Sequence, residues 1–435
     1  MKTSRLSRNP WAWISTLYFA QGIPYVAVMT IAVIMYKRLG LSNTDIALYT
    51  SWLYLPWVIK PLWSPFIDIL KTKRWWIISM QALIAAGFAG IAFSIPTTFF
   101  IQASLAFFWL LAFSSATHDI AADGFYMLAL TTGEQSFFVG IRNTFYRLAN
   151  IFGQGVLVML AGWMEEGVLF PSMNGNIPLA WSITFFFLTA LFLGFTIYHK
   201  FVLPFPPSDV AHKENNIRQL MADFFQTFRS FFQKPHMGLI FFFLLTYRLG
   251  ESQLAKITSP FLLDEALVGG MQLSTSTVGM VYGTIGVAAL LAGGIIGGFM
   301  ISRDGFKSWI VPMAIAINLP DILYVLLAAF QPEQVWLIIA SVAIEQLGYG
   351  FGFTAYMLYL IYIADGKHKT AHYAIGTGFM ALGMMLPGMV AGWVQEQIGY
   401  TNFFIWVCIC TIPGIIAAFM VKQKIDPLFG KKVKS

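Results

Sequence analysis

The chain has 435 residues, 57% of them hydrophobic and only 11% charged, with a mean hydropathy of +0.68. Soluble domains carry roughly a quarter charged residues, so a water-soluble globular protein is excluded and a multi-pass membrane protein is expected. The formal charge of +7 does not imply nucleic acid. Its basic residues gather in alternate loops and at both ends, and only Lys37 and Arg38 fall in a loop of the opposite side. That is the positive-inside asymmetry of short cytoplasmic loops, with both termini cytoplasmic.

A hydrocarbon core of about 30 Å needs roughly 20 apolar residues per helix. Twelve such runs follow one another, at 11–36, 44–64, 75–95, 98–129, 137–163, 180–203, 237–263, 275–300, 309–330, 334–364, 372–394 and 400–421. The first follows Lys2, Arg5 and Arg8 but continues without a small-residue cleavage site, so it reads as a retained span. The second carries Lys60 near its end, and the loop after it holds Asp68, Lys71, Lys73 and Arg74.

Charges inside these runs are the informative residues, because a charge near the bilayer centre costs about 2.5–3.5 kcal/mol on insertion scales and normally faces a protein or water-lined interior. In the fourth run Asp119 and Asp123 share one helical face, and Gly124 leaves room beside the second. The fifth brings Arg142, then a stripe of Asn143, Arg147, Asn150 and Gln154 at spacings of one turn. For Asp123 and Arg142 a fixed ion pair is the structural alternative to a role in transport.

Residues 204–236 begin with Pro204, Pro206 and Pro207, turn polar, and end in an amphipathic surface helix around Ile217–Phe232; they form a cytoplasmic linker. The seventh run holds Arg248, Glu251, Ser252 and Lys256, and the loop after the eighth holds Gly298, Arg303, Asp304, Gly305 and Lys307. Asp321 follows Pro320 in the middle of the ninth, where a kink explains it as well as function does. The tenth contains Glu345, Tyr349 and Tyr356. Of six histidines only His118 falls well inside a run, with His199 at a span end. Cys408 and Cys410 point to different sides of the last span and support neither a disulfide nor a metal site.

The chain repeats itself. Ala161-Gly162-Trp163-Met164-Glu165-Glu166 returns as Ala391-Gly392-Trp393-Val394-Gln395-Glu396, and Tyr126-Met127-Leu128 as Tyr356-Met357-Leu358, both 230 residues on, with Leu41-Ser42 echoed by Leu273-Ser274 at 232. Six spans duplicated in parallel give two pseudo-symmetric six-helix bundles, an all-α membrane protein with the arrangement of the major facilitator superfamily. The expected domains are 1–203, the linker 204–236, and 237–435. That arrangement puts a binding site at mid-membrane between the halves. The intramembrane charges do not repeat: Tyr349, Phe353, Thr377 and Met380 stand where Asp119, Asp123, Arg147 and Asn150 stood. An asymmetry of this kind points to chemistry added to a scaffold.

Three stretches carry a closer resemblance: Leu17-Tyr18-Phe19-Ala20-Gln21-Gly22-Ile23-Pro24, Lys60-Pro61-Leu62-Trp63-Ser64-Pro65-Phe66-Ile67-Asp68, and Ala116-Thr117-His118-Asp119-Ile120-Ala121-Ala122-Asp123-Gly124. They resemble the AmpG-type muropeptide permeases and their siderophore-importing relatives, with His118 and Gly124 in place of that family's Gln and Ala. The resemblance implies proton-driven import of anhydromuropeptides released in cell-wall recycling, with Asp119 and Asp123 as transport-essential acids and Lys60 and Asp68 as gating or structural residues. The better-known permeases have two further spans, whereas this chain has room for twelve.

The sequence therefore predicts a monomeric secondary importer of the bacterial inner membrane, working by alternating access on a small-molecule glycopeptide and protons, with no cofactor and no metal. The expected proton-coupling acids are Asp119, Asp123, Glu251 and Glu345. The expected substrate set is Gln21, Tyr25, Arg147, Asn150, Gln154, Arg248, Lys256 and Tyr349, the cations meeting peptide carboxylates and the rings meeting sugars. Lys60, Asp68, Arg142, Arg303 and Asp304 are the expected gating residues. Import of a siderophore or other peptide-like metabolite is the neighbouring alternative; an acyltransferase or a sensor is the distant one.

Overall fold

The computed structural model describes residues 9–210, 217–365 and 369–431. Every regular element among them is helical. In chain order these are α1 Pro10–Arg38, α2 Asn43–Trp52, α3 Leu55–Leu70, α4 Lys73–Ser94, α5 Phe100–Ala129, α6 Gly133–Glu165, α7 Ile177–Val202, α8 Ile217–Phe232, α9 Met237–Thr246, α10 Leu249–Leu263, α11 Thr275–Asp304, α12 Phe306–Phe330, α13 Val335–Ile363, α14 Lys369–Cys410 and α15 Ile412–Lys422.

Nine helices among the described residues are long and apolar enough to cross a membrane. The last of these, Ala371–Lys422, is 52 residues long. It contains Gly399 at φ 74°, a left-handed conformation that glycine adopts without a Cβ clash and that ends a helix. The two final apolar runs of the sequence meet there. The runs 43–70 and 237–263 are each helical but broken, between α2 and α3 and between α9 and α10. Each of the twelve apolar runs is thus matched by helix, consistent with twelve spans.

The helices bend where the sequence removes or loosens backbone bonds. Pro24 precedes a π segment at Ala27–Ile31 in α1, and further π segments occupy Phe152–Leu157 in α6 and Gly279–Gly286 in α11. In α12 Pro320 cannot donate to the carbonyl four residues back, and Leu319–Asp321 tighten into a 3-10 turn.

The described residues form two compact units, 9–32 with 62–210, and 33–61 with 217–365 and 369–431. In the first, Trp13, Leu17, Ile77, Phe125 and Tyr126 form a buried core. A Cβ on Gly22 would lie 2.7 Å from Ala149 Cβ and 2.9 Å from the Tyr146 carbonyl, so the glycine of the first motif lets α1 lie directly on α6. Small residues at such contacts are how helices associate in lipid, where no hydrophobic gain drives them together. In the second unit the core is built on Phe243, Tyr247, Phe306, Ile310, Tyr356 and Tyr359.

The linker is anchored at both ends. Asp209 accepts from the backbone N–H groups of Lys73 (2.7 Å) and Arg74 (3.0 Å) at the start of α4, where the unpaired donors of a helix N-terminus favour a carboxylate. In the second unit α8, with the bounds expected from the sequence, buries Phe231 against Phe379 (ring centroids 6.2 Å apart). Lys234 follows it and donates to the Asp365 carbonyl at 2.9 Å. Partial burial holds its ammonium below the usual lysine range, opposed by the nearby Asp365 carboxylate.

Candidate functional site

In the first unit Asp123 on α5 and Arg142 on α6 approach to 3.4 Å. Tyr18 on α1 joins them: its hydroxyl donates to Asp123 Oδ1 (3.3 Å) and accepts from Arg142 Nη1 (3.0 Å). The guanidinium also lies over the rings of Tyr18 (5.0 Å) and Tyr126 (4.8 Å). One cation is thus shared among a carboxylate, a phenol and two aromatic faces, which holds it without a strong ion pair. The space beside Gly124 is not free, as a Cβ there would come 2.8 Å from Lys73 Cε. Lys73 fills the room that the sequence reading left open.

Asp119 is half-buried and shares its surroundings with Tyr146. Arg147, expected to face it, is exposed and reaches no partner among the described residues. The polar stripe of α6 divides: Asn143 and Arg147 are exposed, while Asn150 and Gln154 are partly buried. Asn150 Oδ1 and, on α1, Gln21 Oε1 are buried oxygens without a hydrogen-bond partner. Tyr25 is half-buried.

A second polar chain in this unit was not foreseen. Thr16 Oγ1 lies 3.0 Å from His199 Nε2, His199 Nδ1 lies 3.0 Å from Gln81 Oε1, and Gln81 Nε2 lies 3.1 Å from His118 Nε2. His199 stands in the last turn of α7, at the span end as expected, and is fully buried there.

The second unit holds two buried cations, Arg248 at the N-cap of α10 and Lys256 within it. Arg248 donates to the hydroxyl of Tyr349 and lies over the rings of Tyr349 (5.3 Å) and Phe353 (4.8 Å). Lys256, 2% exposed, donates to Thr50 Oγ1 at 2.9 Å and lies over Tyr54 at 5.0 Å. No carboxylate lies within ion-pair distance of its ammonium among the described residues. Tyr247 and Tyr356 are fully buried and donate to backbone carbonyls, Gly352 at 2.9 Å and Leu244 at 2.8 Å.

On α10, α12 and α13, Glu251, Asp321 and Glu345 bring carboxylate oxygens within 4.8 Å of one another. All three are buried. Glu345 accepts from the Tyr324 hydroxyl (3.2 Å) and Gln346 Nε2 (3.0 Å). Glu251 Oε2 and both oxygens of Asp321 have no hydrogen-bond partner. At that separation two like charges repel by about 3 kcal/mol even at an effective dielectric of roughly 20, so the cluster holds protons or a cation rather than three free charges. The 3-10 turn builds it. Gly348 on α13, where a Cβ would lie 2.2 Å from the Ala316 carbonyl and 3.0 Å from Pro320 Cγ, lets α13 lie against the break and sets Glu345 opposite Asp321. The sequence reading left Asp321 open between a proline kink and function; an acid beside a proline in an apolar run was the available sign.

Of the expected gating residues, Arg303 and Asp304 bond each other (2.8 Å), and Trp309 Nε1 donates to Asp304 at 2.9 Å. Lys60 is half-buried in α3, and the side chain of Asp68 lies outside the described residues. A richer polar cluster, missed by the sequence reading, ties the opposite helix ends of the second unit. Lys37 meets Asp264 at 2.6 Å, Asn43 Nδ2 donates to Gln395 (2.6 Å) and Tyr400 (2.9 Å), and Thr44 Oγ1 donates to Glu396 at 2.5 Å.

No protein-family profile matches the chain. It is 25% identical over 424 residues to the anhydromuropeptide permease of Escherichia coli K12, covering 94% of this chain and 79% of that protein. It is 24% identical over 430 residues to a transporter named AmpG 4 from Rickettsia conorii, covering 95% and 96%. Among solved structures it superposes on a D-xylose-proton symporter with a TM-score of 0.71 at 12% identity, covering 97% of this chain and 99% of that one. It also superposes on a bacterial homologue of the human lysosomal transporter Spinster, with a TM-score of 0.70 at 15% identity and 97% of both chains covered. The fold is therefore the all-helical major facilitator fold, and relatives and neighbours alike are transporters rather than enzymes. The chain thus has the fold of the major facilitator transporters, and over nearly its whole length its sequence is similar to the AmpG-type permeases.

Proposed function

We propose that this transporter imports anhydromuropeptides across a bacterial inner membrane, both termini cytoplasmic, as a monomer driven by protons. The observation that carries this reading is the electrostatic mismatch in the second unit: Lys256 is a buried ammonium with only a hydroxyl and a ring for company, while Glu251 and Asp321 are buried acids with unpartnered oxygens. Buried charges are normally paired. A ligand carrying a peptide carboxylate supplies what Lys256 lacks, and protons supply what the acids lack. Tyr349, already holding Arg248, offers a ring to a sugar. In the first unit Gln21, Asn150 and Gln154 supply neutral hydrogen-bonding groups, with Asp119 the acid and the Asp123–Arg142–Tyr18 group a gate that opens when Asp123 takes a proton.

The test is uptake of labelled anhydromuropeptide and of a ferric siderophore into energised vesicles, with and without a protonophore. Accumulation of the muropeptide, abolished by the protonophore, is expected. Siderophore uptake alone refutes the substrate, and accumulation that ignores the protonophore refutes the coupling.

A further inference from the structure

We propose that Asp321 completes a three-carboxyl proton site with Glu251 and Glu345, and is the member that takes up and releases the coupling proton. This rests on the proton-coupled reading above and adds to its coupling set a residue that composition and spacing did not select. Three observations carry it. The acids come from three separate helices yet bring oxygens within 4.8 Å of one another, which neither helix packing nor capping requires. Their hydrogen bonding is unequal. Glu345 is fixed by Tyr324 and Gln346, Glu251 keeps one oxygen unpartnered, and Asp321, 1% exposed, keeps both. A buried carboxyl without a donor is held there as the acid or by exchange with its neighbours, so Asp321 is free to pass a proton where Glu345 is anchored. Finally, Asp321 is the last residue of the 3-10 turn at Pro320, and a tightened turn inside a helix is a common hinge. A small rotation there moves the Asp321 carboxyl relative to Glu251 on α10 without unfolding either helix.

The groups facing the site are Arg248 beside Glu251 on α10, Tyr282 on α11 and Tyr324 on α12 beside Glu345, and Cys408 on α14 beside Asp321. Arg248 is the one cation among them, and it already engages Tyr349 and Phe353. An anionic substrate that draws Arg248 away removes positive charge from the acids and raises their hold on protons, so substrate and proton bind together. A sodium ion is the competing occupant, and the test separates the two.

Asp321→Asn is isosteric and neutral. In proteoliposomes the variant should exchange labelled anhydromuropeptide across the membrane without a gradient, while proton-driven accumulation falls at least tenfold. Accumulation equal to wild type overturns the proposal. A second readout does not depend on the substrate. Infrared difference spectra of the detergent-solubilised protein should show a protonated-carboxyl band that shrinks as pH rises and is lost or halved in Asp321→Asn. An unchanged band, or a wild-type band that responds to sodium chloride against choline chloride at fixed pH, also overturns it. Should Asp321→Asn fail to insert, Asp321→Glu takes its place: a displaced band with a shifted pH profile of accumulation supports the assignment, and an unaltered profile refutes it. Failure of wild-type protein to take up muropeptide, with the band still lost in the variant, would remove the substrate and leave the proton site standing.

Discussion

Replacing Lys256 by Met separates a charge kept for a ligand from a charge kept for the fold. The ammonium is 2% exposed and has one hydroxyl at 2.9 Å and one ring at 5.0 Å. A lysine charge at the helix centre costs about 2.5–3.5 kcal/mol. Against this stand a charge-assisted hydrogen bond, roughly 1.5–3 kcal/mol, and a cation–π contact of about 0.5–2 kcal/mol. Thr50 keeps its own bond to the Ile46 carbonyl at 2.7 Å, so the substitution strands no donor. The two sides nearly cancel, and Lys256→Met should leave the unfolding free energy within about 1 kcal/mol of wild type. Removing one partner of a buried structural ion pair would instead cost roughly 3–5 kcal/mol. Apparent substrate affinity should fall about ten- to a hundredfold, the worth of one charge-assisted bond. Denaturation in micelles and concentration-dependent uptake measure the two quantities. A loss of 3 kcal/mol or more with unchanged uptake per folded molecule would refute the reasoning and make Lys256 a structural group.

Other substitutions test the supporting geometry. Gly348→Ala should destabilise the protein by about 1–3 kcal/mol, because its Cβ would lie 2.2 Å from the Ala316 carbonyl; a neutral effect on thermal unfolding would mean that α13 does not press on the break. Asp209→Ala should cost about 1 kcal/mol by uncapping α4, with uptake per folded molecule unchanged. Arg142→Gln removes a pair whose side chains are 26% and 45% exposed, so it should cost under about 1 kcal/mol of stability yet slow transport; equal slowing by Tyr18→Phe would show that the three act together.

The helices were legible because bilayer thickness writes each one as a long apolar run, and the paired halves because the repeat kept one spacing. What stayed hidden depended on contacts among runs. Nothing in α4 announces that Gln81 joins His118 to His199, since each lies in a different helix. Asp321 was visible as an acid beside a proline, but only the packing of Gly348 on the 3-10 turn puts it against Glu345. Arg147 lies on the polar stripe that periodicity drew, and exposure divides that stripe between Arg147 and Asn150.

The repeat also explains how one scaffold came to hold two different electrostatic sites. Arg248 and Phe353 stand 230 residues after Tyr18 and Asp123, and each pair meets within its own unit. In the first unit the aromatic ring is on the first helix of the repeat and the charge on the fourth; in the second unit the order is exchanged. Glu251 likewise follows Gln21, and Glu345 follows Ser115, at the same interval. Gln21 Oε1 and Ser115 Oγ are buried without a partner, as is Glu251 Oε2, so these positions are polar in both units although the fold takes a neutral side chain there. Acids are therefore not required by the packing at these positions. Their presence in the second unit, together with Asp321 on a helix whose counterpart α4 carries no carboxylate, gives that unit acids at positions where the first has none. The repeated scaffold has thus diverged at matched positions, the first unit sharing one arginine between Asp123 and Tyr18, the second setting buried acids beside buried cations.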